Sequence, residues 1–137
     1  MKKLLHVGCG LKGREDTFHI FRDPATWEHV RLDIDPSVKP DLIDDVITLA
    51  SIEDASFDGI FTSHNLEHLH YTDVFKCLDT FRRVLKPFGL LVIAVPDLQL
   101  AAEYIARDEP LKLIGNGGLC PLDLVYGYRA WTKDNPY

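Results

Sequence analysis

Three closely spaced glycines near the start of the chain have the pattern of a nucleotide-binding loop. Gly8, Gly10 and Gly13 follow an apolar run at residues 4–7 with the spacing G-x-G-x-x-G. Glycine leaves no Cβ between the backbone and a ligand, so a phosphate or ribose can approach closely. Asp33 stands twenty positions after Gly13, where an acid at the end of a second strand can accept hydrogen bonds from ribose hydroxyls. The loop and Asp33 fit either a nicotinamide dinucleotide or S-adenosylmethionine, since both contain a ribose.

A second group of chemically active side chains lies in "HNLEHLH", residues 64–70. His64, Glu67 and His68 match the H-x-x-E-H pattern of a class of zinc hydrolases. Because the segment directly follows a predicted strand at 57–63, we expect His64 to lie in the turn rather than inside a helix. The competing interpretation is that Glu67 and His68 begin or cap a short helix without a metal. We predict no metal site.

Short apolar runs alternate with helical patterns along the chain, which predicts a doubly wound α/β fold with a mostly parallel sheet. Unalternating runs such as "GLLVIAVP" are typical of strands covered on both faces. In such folds ligands bind at the carboxyl ends of the strands, where both motifs above would lie. The predicted strands are 3–7, 29–35, 41–44, 57–63 and 89–96.

Three helices are predicted between and after these strands. Apolar residues at helical spacing indicate one at 72–85, with Thr72 as its cap, and another at about 97–107. The segment 14–28 is expected to contain a third helix, whose length Pro24 limits.

Composition excludes several classes of protein. With 137 residues the chain fits a single domain, 1–137, and the formal net charge of −6 disfavours a nucleic-acid partner. The apolar run at the start is too short for a membrane span, so we expect no membrane association. Cys9, Cys77 and Cys120 are odd in number and far apart, which favours reduced thiols and a cytoplasmic location.

Four segments taken together resemble the successive motifs of the class I S-adenosylmethionine-dependent methyltransferases. The resemblance covers about residues 3–107 and is closest to small methyltransferase-like proteins with an S-H-x-L-E-H segment. It implies a Rossmann-like sheet with strand order 3-2-1-4-5 and S-adenosylmethionine as the cofactor. The segments are "LLHVGCG", "RLDIDP", "DASFDGIFTSHNLEHL" and "FRRVLKPFGLLVIAVPD".

The resemblance also implies which residues hold the adenosine part of the cofactor. Asp33 would bind the ribose hydroxyls, and Ile34 would lie against the adenine ring. Asp45 matches the acid that faces the adenine amino group, and Val46 would supply its backbone amide.

The resemblance implies that the methyl-donating part of the cofactor lies beside the glycine loop and the end of the fourth strand. Gly8, Cys9 and Gly10 would line the methionine and ribose portion. Ser63 and His64 occupy the position where the methyl donor meets the acceptor. His64 is the candidate general base, because histidine titrates near neutral pH.

The sequence departs from the family pattern at "KPFG", where K-P-G-G is commoner, and in two places that bear on the site and the fold. His6 stands where the family often has an acid that positions the methionine end, and it either hydrogen-bonds there or packs within its strand. Family members usually add two more strands, which residues 111–137 leave little room for after a cofactor-binding core at 1–110. We therefore expect the last two strands to be missing and the edge of the fifth strand to be covered by the 111–137 segment or by a homodimer partner.

These observations lead to a ranked set of functions. The first is a methyltransferase that acts on a small-molecule or sugar-like acceptor. The alternative is a non-catalytic module that binds the cofactor or a partner. A nicotinamide-dependent oxidoreductase and a zinc hydrolase explain fewer of the motifs.

Overall fold

A five-stranded parallel sheet forms the centre of the structure, a computed structural model that describes residues 1–112 and 118–119. The strand order β3-β2-β1-β4-β5 confirms the predicted doubly wound topology. All neighbouring strands in this sheet are parallel, so their carboxyl ends meet at one edge. The strands are β1 (Lys2–Val7), β2 (Trp27–Asp33), β3 (Leu42–Ile43), β4 (Phe57–Ser63) and β5 (Leu85–Ala94).

The chain divides into two compact units, Met1–Val95 and Pro96–Tyr137. The first contains the sheet and helix α1 (Tyr71–Val84). The second contains helix α2 (Leu98–Ala106) and two short antiparallel strands, β6 (Leu111–Lys112) and β7 (Gly118–Leu119). The expectations for the rest of the 111–137 segment, including the missing strands and the covered edge, fall outside the described residues.

Both faces of the sheet are covered by apolar side chains, as continuous apolar strands require. On one face, Cys77, Phe81 and Val84 of α1 pack in a cluster that includes Leu5 and Ile60. A smaller cluster contains Phe21, from the segment between β1 and β2, together with the strand residues Leu4, Trp27 and Phe61.

The segment between β1 and β2 differs from the prediction of one helix in 14–28. It forms two 3-10 helices, Arg14–Asp16 and His19–Phe21. Only Phe21 among these six residues is buried, so the segment has no apolar stripe long enough to hold an α-helix against the sheet.

Helix α1 begins one residue earlier than predicted, and its cap is His70 rather than Thr72. The His70 side chain accepts a hydrogen bond from the backbone N–H of Thr72. Helix α2 begins at the predicted place because Asp97 accepts a hydrogen bond from the backbone N–H of Leu100 at 3.0 Å.

A bulge makes β5 begin four residues before its predicted start. Leu85 lies opposite Phe57, and Leu90 lies opposite Gly59, so the chain between them loops outward. An ion pair of 2.9 Å between Lys86 and Asp58 holds this bulge. The "SFD" and "VLKP" motifs therefore meet at one contact that fixes β5 against β4.

No helix among the described residues is long and apolar enough to span a membrane.

Candidate functional site

Two adjoining cavities open at the carboxyl ends of the central strands. Gly8 and Gly10 line both of them. The first, which we call the ribose cavity, has a volume of about 380 Å³, and the second, the histidine cavity, has about 370 Å³. The ribose cavity is lined by Gly8, Gly10, Leu32, Asp33, Ile34, Asp44, Asp45, Val46, Ile47, Asn65 and Leu69. The histidine cavity is lined by His6, Gly8, Cys9, Gly10, Leu11, Lys12, Asp16, Phe61, Ser63 and His64.

The site residues expected from the sequence therefore separate into two groups at the glycine loop. Asp33, Ile34, Asp45 and Val46 lie in the ribose cavity. The others lie in the histidine cavity, apart from Gly8 and Gly10, which belong to both; they are His6, Cys9, Ser63 and His64.

The glycine loop has a backbone that other residues adopt only with strain. Gly8 has φ +63° and Gly10 has φ +51°, both in the left-handed region. A Cβ at Gly8 would lie only 2.7 Å from Cγ of Asn65, whereas a Cβ at Gly10 would have nothing within 4 Å. Gly8 therefore leaves room for Asn65, while Gly10 leaves an open surface beside both cavities.

Asp33 anchors the glycine loop to the end of β2. One carboxylate oxygen accepts the backbone N–H of Gly10 at 2.7 Å, and the other accepts the N–H of Asp35 at 3.0 Å. Each carboxylate oxygen has a second lone pair, so Asp33 can hold the loop and still accept hydrogen bonds from a diol.

Arg31 also holds the glycine loop, through hydrogen bonds that the sequence analysis did not predict. Its guanidinium donates hydrogen bonds to the carbonyls of Gly10 at 2.7 Å, Lys12 at 3.0 Å and Lys39 at 3.1 Å. These contacts join residues far apart in the chain, so no local pattern in the sequence marks them.

The remaining wall of the ribose cavity carries one apolar face and two adjacent acids. Ile34 is 67% exposed and offers an open apolar surface to a flat ring. Asp44 is occupied by its loop, because it accepts the backbone N–H and the hydroxyl of Ser51. One oxygen of Asp45 accepts the N–H of Ile47 at 2.8 Å, and the other accepts no hydrogen bond from the described residues.

His6 is a buried imidazole at the back of the histidine cavity. Its Nδ1 lies 3.2 Å from Nε2 of His29, and its ring lies against Phe61 with centroids 5.1 Å apart. Burial, together with the nearby His29 and Arg31, lowers the pKa of His6 to about 4. His6 is therefore neutral at physiological pH.

His64 lies at the mouth of the same cavity, in the turn directly after β4. Its backbone has φ +52°, and its N–H donates to the carbonyl of Ala94 at 3.0 Å. Its Nδ1 lies 3.4 Å from a carboxylate oxygen of Glu67. The 3-10 helix Leu66–His68 follows, so His64 precedes the helix, as expected from the sequence.

Cys9 lines the histidine cavity, but its side chain is buried. It is 1% exposed, its backbone N–H donates to Leu32 at 3.1 Å, and its Sγ lies 3.5 Å from the Gly10 carbonyl. Burial raises the pKa of its thiol. The thiol therefore stays protonated and serves as packing behind the loop.

Nine lining residues were absent from the predicted site, and the following four lie close in sequence to residues that it named. Asn65 and Leu69 follow the "SH" pair, and Lys12 and Asp16 follow the glycines. Their position next to the quoted motifs is the only signal that the sequence offers for them.

The five-stranded sheet agrees with the comparisons to known proteins. The family model described as "Methyltransferase domain" matches residues 5–93. The search of curated protein sequences gave no match.

Several solved structures share the fold. The PH0226 protein of Pyrococcus horikoshii is 23% identical, with a TM-score of 0.61, over 84% of this chain and 57% of that one. An S-adenosylmethionine-dependent methyltransferase of Methanococcus maripaludis, described as putative, is 18% identical, with a TM-score of 0.55, over 78% of this chain and 56% of that one. The trans-methyltransferase CalH, solved with S-adenosylhomocysteine, is 18% identical, with a TM-score of 0.51, over 67% of this chain and 31% of that one.

The chain spans little more than half the length of the first of these structures and less of some others. The family match, by contrast, covers more than half of this chain and runs from β1 to the end of β5. The protein therefore belongs to the methyltransferase-domain family, the class I S-adenosylmethionine-dependent methyltransferases, whose cofactor is S-adenosylmethionine.

Proposed function

We propose that this chain binds S-adenosylmethionine across both cavities and transfers its methyl group to a small-molecule or sugar-like acceptor. The observation that carries the proposal is that Asp33 lines one cavity and holds a loop whose glycines, Gly8 and Gly10, line both. The adenosine and the charged amino-acid end of this cofactor would each occupy one cavity. Glycines between the two cavities leave room for the ligand to pass close to the backbone.

The ribose cavity has the chemistry that an adenosine requires. Asp33 accepts the two ribose hydroxyls while its bond to Gly10 keeps the carboxylate in place. Ile34 packs against the adenine ring, and the free oxygen of Asp45 with the amide of Val46 faces the edge of the base. Asp33 and Asp45 are already held by backbone hydrogen bonds, so their side chains lose little conformational freedom on binding.

The histidine cavity would receive the amino-acid end of the cofactor and, at its mouth, the acceptor. When bound, the cofactor supplies a methyl group on a sulfonium, whose carbon–sulfur bond breaks as the bond to the acceptor forms. The protein positions the two reactants and excludes water. His64 takes the proton that an acceptor hydroxyl or amine releases, and Glu67 at 3.4 Å holds the opposite side of its ring.

Calorimetric titration with S-adenosylmethionine and S-adenosylhomocysteine tests the proposed binding, with NAD as the comparison ligand. We expect micromolar binding of the first two and none of NAD. Asp33→Ala should weaken binding about a hundredfold, since hydrogen bonds to a charged group contribute about 1.5–3 kcal/mol each. Asp35→Ala is the matched control, because Asp35 also holds a turn, through Ser37, but lines neither cavity.

Transfer itself is tested by release of S-adenosylhomocysteine in the presence of pooled hydroxylated and amine-bearing small molecules. We expect His64→Ala to slow that release while the affinity for S-adenosylhomocysteine stays within about twofold of wild type. Tight binding without turnover in any pool would favour the non-catalytic module instead.

A further inference from the structure

An exposed aromatic pair lies at the start of helix α1. Tyr71 and Phe75 are one helical turn apart, and their rings meet edge to face with centroids 5.5 Å apart. The two residues are 73% and 57% exposed, and neither lines the ribose cavity or the histidine cavity. Two large aromatic side chains next to each other in solvent form an apolar patch of the kind that protein interfaces use.

An apolar groove lies at the other end of the same helix. It has a volume of about 510 Å³, and its walls include Leu78, Leu91 and Phe88. Phe88 is wholly exposed, and its φ of +64° is a strained conformation for an aromatic residue. Two basic side chains, Arg82 and Lys86, also line the groove, and no acid among the described residues does. Apolar walls with positive charge suit an aromatic ring, whose face is electronegative.

Two opposite charges lie on the same exposed side of α1. Asp79 follows Phe75 by four residues, and Arg82 follows Asp79 by three, so these residues share one face of the helix. Asp79 and Arg82 are both exposed, and neither forms an ion pair with another of the described residues. Along this face the aromatic pair is therefore followed by an acid, a base and the groove.

This face of α1 is complementary to a second copy of itself. Two antiparallel copies of the helix would place each Asp79 against the partner's Arg82 and each aromatic pair at the partner's groove. A parallel pair of helices would bring like charges together instead. An acidic partner of another kind would match the groove but leave Asp79 without a counter-charge. The charges therefore favour a second copy of this chain.

We infer that this face of α1 is the interface of a two-fold homodimer. It is defined by Tyr71, Phe75, Asp79 and Arg82, together with the adjoining groove. The sequence analysis considered a homodimer at the edge of β5, whereas this surface lies on α1 and on the bulge at the start of β5. The inference does not depend on the proposed function, since the interface contains no residue of either cavity.

Sedimentation equilibrium of the full chain measures the mass in solution. We expect twice the mass of one chain at a concentration of about 100 µM. Phe75→Lys brings a positive charge to the partner's Arg82 and Lys86 and should weaken association about tenfold or more. Lys76→Gln is the matched control, because Lys76 is also exposed on α1 but pairs with Asp73 and does not line the groove. It should change the dissociation constant by less than about twofold.

Exchanging the two charges tests the antiparallel arrangement. Asp79→Arg and Arg82→Asp each bring like charges together across the interface, so each should weaken association about tenfold. The double variant restores opposite charges and should associate within about threefold of wild type. Circular dichroism of each variant separates loss of association from loss of the fold.

Three results would overturn the inference. The first is a wild-type chain that stays monomeric at about 100 µM. The second is a dimer that Phe75→Lys leaves intact, because the contact would then lie elsewhere, for example at the edge of β5. The third is a folded double variant that associates no more tightly than the single variants, because the two charges would then not face each other.

Discussion

The ribose cavity and the histidine cavity share two glycines, but Asp33 and Asp45 of the first are held differently from the imidazoles of the second. In the ribose cavity, Asp33 and Asp45 each accept backbone amides, so their carboxylates are fixed by the main chain. In the histidine cavity, the imidazoles contact other side chains: His6 contacts His29, and His64 contacts Glu67.

This difference predicts that the two cavities bind different kinds of ligand group. Groups held by the main chain suit a ligand that never changes, such as the adenosine of a cofactor. Groups held by other side chains can be exchanged by a single substitution without a change in the main chain. The histidine cavity is therefore where we expect this chain to differ in specificity from other members of its family.

The largest effect is expected at the glycine that both cavities share and that Asn65 contacts. Gly8→Ala forces a side chain into the left-handed region and against Asn65, which should lower the free energy of unfolding by about 3 kcal/mol. Binding of S-adenosylhomocysteine and of 5′-methylthioadenosine, which keeps the adenosine but lacks the amino-acid end, should both be lost. Thermal unfolding and calorimetry measure the two effects.

Gly10→Ala is the matched control, because its backbone is equally strained but its Cβ meets nothing within 4 Å. It should cost about 1 kcal/mol. Adding Asn65→Gly to Gly8→Ala should bring the cost down to that of Gly10→Ala. Equal costs for the two single variants would contradict the contact between Gly8 and Asn65.

The second effect is a dependence of stability on pH that arises from the histidine cavity. The folded state holds the pKa of His6 at about 4, below the value of 6.5 in the unfolded chain. Between these values the unfolded state binds more protons, so stability falls as pH decreases from 6.5 to 4, by about 3 kcal/mol in total. The burial of His29 lowers its pKa and adds to the loss in the same direction.

Denaturant unfolding at a series of pH values measures this effect. His6→Gln should flatten the curve between pH 4 and 6.5. A curve for His6→Gln as steep as that of wild type would show that His6 does not remain neutral in the folded protein.

The smallest effect is expected at the open apolar wall of the ribose cavity. Ile34→Ala should weaken binding of S-adenosylhomocysteine and methylthioadenosine by the same factor, about fivefold, because it removes roughly 1 kcal/mol of apolar contact with adenine. Ile43→Ala is the control, since Ile43 is similarly exposed but lines neither cavity. A loss confined to S-adenosylhomocysteine would place adenine elsewhere.

The sheet was predictable because each of its strands is marked locally. Four of the five strands were predicted to within two residues of their bounds, and β4 has the predicted bounds Phe57–Ser63. The helix predicted in the segment 14–28 was wrong, because only Phe21 is buried among the six residues of its two 3-10 helices.

The candidate site was predictable where a motif names the residue and hidden where a contact spans the fold. Asp33 follows from its distance to the glycines. Arg31 and Asn65 do not, because each lies against a glycine that is distant in the chain and that the fold brings close. A contact between residues that are distant in the chain produces no local sequence pattern from which it could be predicted.

A crystal structure of the full chain with S-adenosylhomocysteine tests the central claim most directly. We predict that the adenosine lies in the ribose cavity with its ribose hydroxyls on Asp33, that the bare backbone of Gly8 and Gly10 passes beneath the ligand, and that the amino-acid end enters the histidine cavity. A ligand that lies outside both cavities, or one in the reverse orientation, would contradict the account.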